Sequence, residues 1–293
     1  MVKGDCARIV TALPGPYGVI VRISRVIFST AVAVTTAGLV TAVSARPAAG
    51  AASSVSYVAL GDSYSSGLGA GSYISSSGSC DRSTSAYPEQ WAAGNSPASF
   101  VSVACAGATT SDVINGQVSA LGPGTTLVSI TIGGNDAGFS SVMETCVLHS
   151  TSRCLSAVAT ASDFVTRQLP ARLTSTLQAV RQHAPGARIV VLGYPDLYDL
   201  SKSGSCIGLS TQDRTALNSG ADALDSALGA AVHAAADRNI VYADVRSQFA
   251  GHVICDSGSW LHSVDFLAIS SSYHPTASGQ KLGYQPVFSR NTG

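Results

Sequence analysis

The sequence predicts a single domain of the α/β class, built on a parallel sheet of five strands. Five short apolar segments alternate along the chain with longer segments of helical periodicity. In the fourth of these segments, 188–192, four consecutive apolar residues follow Arg188, as is typical of a parallel strand that is buried on both faces. The 293 residues are 45% hydrophobic and only 12% charged, which suits one large folded domain and excludes a disordered chain.

The predicted elements alternate in a regular order along the chain. Strands are expected at 56–60, 100–103, 127–132, 188–192 and 240–245. Helices are expected at 87–93, 112–120, 164–183, 213–236 and 275–288. Pro185-Gly186 ends the third helix, and Pro275 stands where the last helix can begin. Right-handed crossovers through these helices then bring the strands into one parallel sheet.

Residues 1–51 have the features of a secretion signal that is removed from the mature protein. Arg22 and Arg25 precede an apolar run over 26–43, and small residues follow it. Two sites fit the small-residue pattern of signal cleavage: Ala49-Gly50-Ala51 and Val43-Ser44-Ala45. A membrane anchor is the alternative, because the run approaches the ~20 residues that a span needs. We expect cleavage, since the Ala-rich stretch after the run suits a signal peptidase.

The mature chain, residues 52–293, is expected to be a secreted, extracellular catalytic domain. Without the five basic residues and one acidic residue of 1–51, it has 12 basic against 16 acidic residues, a net charge of −4. It shows no basic patch, so nucleic acid is not an expected partner. We expect a monomer that has no stable membrane span once the signal is cleaved.

The cysteines also indicate export. Six of them follow residue 51, and an even number in an exported chain indicates disulfide bonds. We expect neighbours along the chain to pair: Cys80 with Cys105, Cys146 with Cys154, and Cys206 with Cys255. A zinc site is the alternative, but no C-x-x-C spacing occurs among them, which disfavours a metal.

Small polar or glycine-rich clusters follow three of the predicted strands. These clusters are Gly61-Asp62-Ser63, Ala106-Gly107 and Gly133-Gly134-Asn135. Functional sites of parallel sheets lie beyond the carboxyl ends of the strands, so the three clusters are expected to meet. His274 comes late in the chain, in a loop that can fold over the same edge.

Ester hydrolysis requires residue types that these positions supply. Ser63 offers a nucleophile and His274 a base that takes its proton. The backbone N–H groups of Ser63 and Gly107 and the amide of Asn135 offer donors for an oxyanion. Any one of these residues alone is more readily explained as a loop or turn residue. Their joint placement predicts a hydrolase site.

Four sequence blocks carry a resemblance to a known family. In chain order they are YVALGDSYSSG, ACAGA, ITIGGND and SYHPTASGQ. They resemble the four blocks of the SGNH hydrolases, also called the GDSL family, and the similarity extends over nearly all of 55–289. The chain looks most like the secreted bacterial lipases and esterases with three disulfides. The resemblance implies a three-layer α/β/α sandwich, lipid esters as substrates, and no cofactor or metal.

The chain departs from the family pattern at one position. Many members have an aspartate three residues before the histidine, where this chain has Ser271. The nearest upstream carboxylate, Asp265, lies far along the loop. We therefore expect a backbone carbonyl, of Ser271 or of Ser272, to orient the Nδ1–H of His274.

Two other functions stay open at this point. An esterase that removes short acyl groups from carbohydrates or polymers uses the same residues. A non-catalytic binding protein on the same fold is the second rival, because a fold alone does not prove a function. The sequence contains no G-x-S-x-G elbow, phosphate-binding loop, dinucleotide fingerprint or H-E-x-x-H motif.

Overall fold

The computed structural model describes residues 54–202 and 209–293. In this part of the chain, five parallel strands form one sheet in the order β2-β1-β3-β4-β5. The strands are β1 Ser56–Gly61, β2 Ser99–Ser102, β3 Leu127–Thr131, β4 Arg188–Leu192 and β5 Ile240–Ala243. These bounds confirm all five predicted strands, with ends that differ by no more than two residues. The α/β class and the parallel sheet are therefore confirmed.

Helices cover the sheet and complete the three-layer sandwich. They are α1 Ser63–Ser66, α2 Tyr87–Asn95, α3 Thr110–Asn115, α4 Phe139–Leu148, α5 Thr151–Arg167, α6 Leu169–His183, α7 Thr211–Ala234, α8 Arg246–Phe249 and α9 Gln285–Arg290. Tyr57 of β1 packs its ring against Trp91 of α2 and Phe288 of α9, with ring centroids 5.2 and 5.3 Å apart. Helices α5, α6 and α7 pack against one another in a separate group.

Three predicted helices are divided or interrupted, whereas α2 and α7 match their predicted bounds to within two residues at each end. The segment 112–120 is divided at Gly116 between α3 and a short 3₁₀ helix, Gln117–Ala120. The segment 164–183 belongs to two helices, because Pro170 near the start of α6 has no N–H to continue the ladder of α5. The segment 275–288 contains a π-helical turn, Gly279–Tyr284, before α9. Apolar spacing alone did not predict these breaks or helix α4.

The strand order brings the predicted site loops together. Strand β1 lies between β2 and β3, and Gly61 at its end is level with Thr131 of β3. The N–H of Asp62 then donates to the carbonyl of Thr131 at 3.0 Å, and the N–H of Cys105 to that of Gly61 at 3.0 Å. The loops that follow the three strands therefore leave the sheet side by side.

Two of the three expected disulfides lie within the described residues and have the expected partners. They join Cys80 to Cys105 and Cys146 to Cys154. The first closes a loop across 25 residues, which stabilises the fold by roughly 3 kcal/mol through the entropy of the unfolded chain. Cys206 lies outside the described residues, so its pairing with Cys255 stays a prediction.

The expected signal, residues 1–51, also lies outside the described residues and stays a prediction. Over 54–202 and 209–293, no helix combines the length and apolar character that a membrane crossing requires.

Candidate active site

Ser63 is the first residue of α1, directly after strand β1. The preceding Asp62 caps this helix, because its Oδ1 accepts the N–H of Tyr64 at 3.0 Å. The backbone of Gly61 is clamped by Gln117, whose side chain both accepts from its N–H at 2.7 Å and donates to its carbonyl at 2.9 Å. A Cβ on Gly61 would lie 2.4 Å from the carbonyl oxygen of Thr131, so only glycine allows this turn. The serine is thus held at the carboxyl end of β1.

His274 reaches the same place from the end of the chain. Its Nε2 lies 2.8 Å from Oγ of Ser63, although 211 positions separate the two residues. On the other side of the ring, Nδ1 lies 2.9 Å from the carbonyl oxygen of Ser272. The carbonyl of Ser271 instead accepts the backbone N–H of His274 at 3.2 Å. A donor at Nδ1 leaves Nε2 unprotonated and able to accept the serine proton.

The backbone next to His274 is strained and tightly held. Tyr273 has a φ of 67°, in the left-handed region that side chains larger than glycine disfavour. Its carbonyl accepts the hydroxyl of Tyr64 at 2.7 Å, and its N–H donates to the carbonyl of His262 at 2.9 Å. These contacts stabilise the conformation that aims the imidazole at Ser63.

Three hydrogen-bond donors lie on the loops beside the serine. The N–H groups of Ser63 and Gly107 make no hydrogen bond to other described residues. The side-chain amide of Asn135 uses one of its two hydrogens on the carbonyl of Ala108, at 2.9 Å. Gly107 has a φ of 80°, a conformation that glycine adopts readily. The three loops therefore offer two free backbone donors and one spare amide hydrogen.

Asp62 joins a buried polar network behind the serine. Its Oδ1 accepts the hydroxyl of Thr131 at 2.6 Å, and its Oδ2 accepts the hydroxyl of Tyr194. Burial raises the pKa of Asp62 to about 6, and these hydrogen bonds lower it only in part. The carboxyl is thus a structural anchor for α1. Among the described residues, the hydrogen-bond partners of this carboxylate are Tyr64, Thr131 and Tyr194, and the ring of His274 is not one of them.

Burial controls the protonation of His274. Removal from solvent lowers its pKa to about 4, the carbonyl of Ser272 raises it in part, and the nearby charge of His262 lowers it further. A neutral imidazole is therefore the resting form at neutral pH, which is the form a general base requires.

The pH dependence of kcat/KM tests this assignment of His274. We expect activity on a soluble ester to be retained down to about pH 5 and lost as the pH falls through about 4, because protonation removes the base. Initial rates measured between pH 3 and 8 give the pH at which activity is lost, and circular dichroism shows whether the protein stays folded over this range. An acid limb near pH 6.5 in a folded protein would contradict the buried, neutral histidine.

Asp265 does not approach the imidazole. Its Oδ1 accepts the N–H groups of Leu267 at 2.9 Å and Ala268 at 3.3 Å, and so closes its own loop. We expect Asp265→Asn to change kcat by no more than roughly threefold, because the amide oxygen can still accept these bonds. A loss near the ~10⁴-fold typical of triad aspartates would show that a carboxylate orients His274.

An apolar cavity opens beside Ser63. Its water-accessible volume is about 80 Å³, and the empty space between its walls is about 750 Å³ when the solvent at its open mouth is included. Helices α4, α5 and α7 supply apolar walls, and the loops supply the polar end. The lining includes Phe139, Val142, Val158, Ala161, Val165, Leu217 and Leu224, with Ser63 and Asn135.

The sequence did not predict this cavity or the network around Asp62. The walls come from α4, which was not predicted, and from separate turns of α5 and α7. The spacing of Val158, Ala161 and Val165 is a helical face, but it does not reveal which surface the face lines. His262 lies in the loop that leads to His274, but it lines neither cavity found near Ser63 and His274. Its Nε2 lies 2.8 Å from the carbonyl oxygen of Gly69.

Comparison with known proteins decides the family. The model of the GDSL-like Lipase/Acylhydrolase family matches residues 59–282. This chain belongs to that family. Lipase 1 of Streptomyces coelicolor is 53% identical over 250 residues, covering 85% of this chain and 90% of the relative. The lipase of Streptomyces rimosus is 50% identical over 237 residues, covering 80% of this chain and 86% of the relative.

Two solved structures are similar to this chain over most of its length. The crystal structure of phospholipase A1 from Streptomyces albidoflavus is similar with a TM-score of 0.78 and 53% identity, over 81% of this chain and 99% of that one. The crystal structure of the extracellular lipase of Streptomyces rimosus is similar with a TM-score of 0.77 and 48% identity, over 81% of this chain and 100% of that one. The chain is thus a carboxylic ester hydrolase with the SGNH fold.

Proposed function

We propose that this GDSL-family protein is a secreted lipase that hydrolyses fatty-acyl esters of lipids through an acyl-Ser63 intermediate. The single observation that carries the proposal is the 2.8 Å contact between Oγ of Ser63 and Nε2 of His274 beside an apolar cavity. A nucleophile paired with a neutral base fits acyl transfer, and an apolar wall fits an aliphatic acyl chain.

Acylation uses the catalytic pair and the three donors. Nε2 of His274 takes the proton as Oγ of Ser63 attacks the ester carbonyl carbon. The carbonyl oxygen becomes an oxyanion, which accepts hydrogen bonds from the N–H groups of Ser63 and Gly107 and from the amide of Asn135. The carbonyl of Ser272 keeps the proton on Nδ1 and faces the imidazolium. The tetrahedral adduct then expels the alcohol, which takes the proton from Nε2.

Deacylation repeats these steps with water as nucleophile. His274 removes a proton from water, the hydroxide attacks the acyl-Ser63 carbonyl, and the same donors hold the second oxyanion. Collapse releases the fatty acid and returns the proton to Oγ of Ser63. The dyad therefore ends the cycle in its starting state.

The substrate class follows from the cavity and from the named relatives. The walls from α4, α5 and α7 are almost wholly apolar, which favours an acyl chain over a sugar-bound acetyl group. The relatives are named lipases and phospholipase A1. We propose triacylglycerols or phospholipids as substrates, with the acyl chain in this cavity.

Acyl-chain selectivity tests the proposed substrate class. We expect kcat/KM on p-nitrophenyl esters to rise from acetyl towards medium and long chains. Ala161→Phe should lower kcat/KM by an amount that grows with chain length, to roughly tenfold for long esters, because the ring fills the cavity.

Ala159→Phe is the matched control, since Ala159 lies on the exposed side of the same helix. It should leave the chain-length profile unchanged. Activity confined to acetyl esters would favour the carbohydrate-esterase alternative. Equal losses at every chain length in Ala161→Phe would remove this cavity from acyl binding.

We further propose the maturation of the chain. The signal 1–51 is removed on export, Cys206 pairs with Cys255 as a third disulfide, and residues 52–293 act as a monomer. The two neighbouring disulfide pairs and the extracellular lipase of Streptomyces rimosus support this proposal. Intact mass, non-reducing peptide mapping and sedimentation of the secreted protein test the three parts in turn.

A further inference from the structure

Four large apolar side chains stand exposed beside the catalytic histidine. Leu148 ends α4, and Phe266, Leu267 and Ile269 belong to the loop that leads to His274. Their exposed fractions are 58%, 70%, 99% and 63%. Single exposed apolar residues are ordinary, but a group of them marks an interaction surface. We call these four residues the apolar rim.

The apolar rim borders a second cavity that reaches His274. Leu148, Phe266 and Ile269 line this cavity together with His274. Phe139 lines it as well as the cavity beside Ser63, so this side chain divides the two. Anything that covers the apolar rim therefore stands at an opening that leads to the reacting atoms.

Hydrogen bonds hold the rim loop in this exposed position. Asp265 accepts the N–H of Leu267, and Asp265 in turn donates its own N–H to Oγ of Ser272 at 2.9 Å. The N–H of Ser272 donates to the carbonyl of Ile269 at 3.1 Å. The loop is thus braced on Ser272, whose carbonyl also faces His274. The exposed side chains belong to a structured turn.

The charges around the apolar rim restrict what can cover it. Residues 139–153 and 264–274 contain two carboxylates, Glu144 and Asp265, and one cation, Arg153, whose Nη1 lies 3.4 Å from Nδ1 of His149. The formal net charge of these segments is therefore −1, and they lack the cluster of basic residues that anionic lipid attracts. A lipid surface without net charge fits such a rim better than an anionic one does.

We propose that the apolar rim docks onto the surface of a lipid aggregate without net charge, and that Leu267 enters its acyl region. This docking rests on the proposed lipid substrate. It places the opening beside His274 against the lipid, so that an ester leaves the aggregate and reaches Ser63 without crossing water.

Vesicle binding tests the docking surface directly. The full mature chain with Ser63→Ala binds the lipid without consuming it, so binding is measured apart from hydrolysis. We expect this protein to sediment with phosphatidylcholine vesicles, and Leu267→Asp in the same background to lower the partition coefficient roughly tenfold to a hundredfold. Because Leu267 lines neither cavity, Leu267→Asp with Ser63 intact should keep its rate on soluble p-nitrophenyl butyrate within roughly twofold.

Leu282→Asp is the matched control, since Leu282 is 46% exposed and lines neither cavity near the catalytic pair. It should bind vesicles as the parent protein does. Equal binding of Leu267→Asp and its parent would overturn the proposal. So would a parent that does not bind phosphatidylcholine, binding that rises with anionic lipid, or a dimer in sedimentation equilibrium that Leu267→Asp disperses. Loss of ester hydrolysis with vesicle binding intact would refute the proposed function and leave the docking surface standing.

Discussion

Ser63→Ala is expected to lower kcat on p-nitrophenyl butyrate by roughly 10⁴–10⁶-fold while the protein stays folded. The variant removes the nucleophile, and the side chain of Ser63 makes one described hydrogen bond, to His274. Little packing is lost, so the thermal midpoint should stay within a few degrees. Steady-state kinetics on the purified, disulfide-intact protein measures the effect.

Ser66→Ala controls for the loss of a serine in the same short helix. Its hydroxyl donates to the carbonyl of Ser63 at 3.3 Å, a long contact that contributes little. We expect this variant to keep kcat within roughly threefold. If Ser63→Ala retained a rate within tenfold of the parent, the acyl-serine mechanism would be wrong and another nucleophile would have to be sought.

Asn135→Ala should be the second most damaging change, with kcat lower by roughly 10²–10³-fold. The amide is the one side-chain donor of the three, and it is held by the carbonyl of Ala108 with one hydrogen left over. Since the oxyanion exists only in the transition state, the loss should appear in kcat more than in KM.

Asn135→Asp distinguishes the loss of the hydrogen-bond donor from the loss of side-chain volume. Aspartate has the size of asparagine but lacks both amide hydrogens. We expect it to be at least as slow as Asn135→Ala at pH 8. Asn115→Ala, on α3, is the control for a lost surface amide and should be close to the parent. A normal kcat in both Asn135 variants would show that the Asn135 amide does not stabilise the oxyanion, and that the backbone N–H groups alone do so.

The sheet was largely predictable from the sequence, and the reason is physical. A parallel strand with helices on both faces is largely apolar, so segments such as Ile189 to Leu192 stand out without any knowledge of tertiary contacts. Helices were harder to bound. The break between α5 and α6 and the π-helical turn at Gly279–Tyr284 depend on local backbone geometry, which apolar periodicity does not record.

The positions of Ser63 and His274 were predictable from the sequence. Ser63 follows a predicted strand, and His274 lies in the sequence block SYHPTASGQ. The choice between the carbonyls of Ser271 and Ser272 was not predictable, since it depends on the φ of 67° at Tyr273. The hydrogen bond of Tyr194 to Asp62 and the shared wall at Phe139 join residues that are remote in the chain. Such contacts exist only once the chain has folded.

The proposed nucleophile and base come from opposite ends of the folded domain. Ser63 follows β1, the first strand of the domain, whereas His274 lies just before its last helical segment. Gln280 then bridges the two ends, accepting the N–H of Tyr87 at 2.9 Å and donating to the carbonyl of Tyr64 at 3.0 Å. The site is therefore complete only once the segment that carries His274 and Gln280 has docked against the rest of the domain. A partly folded chain without that contact has the serine but lacks its base, and it should not hydrolyse esters.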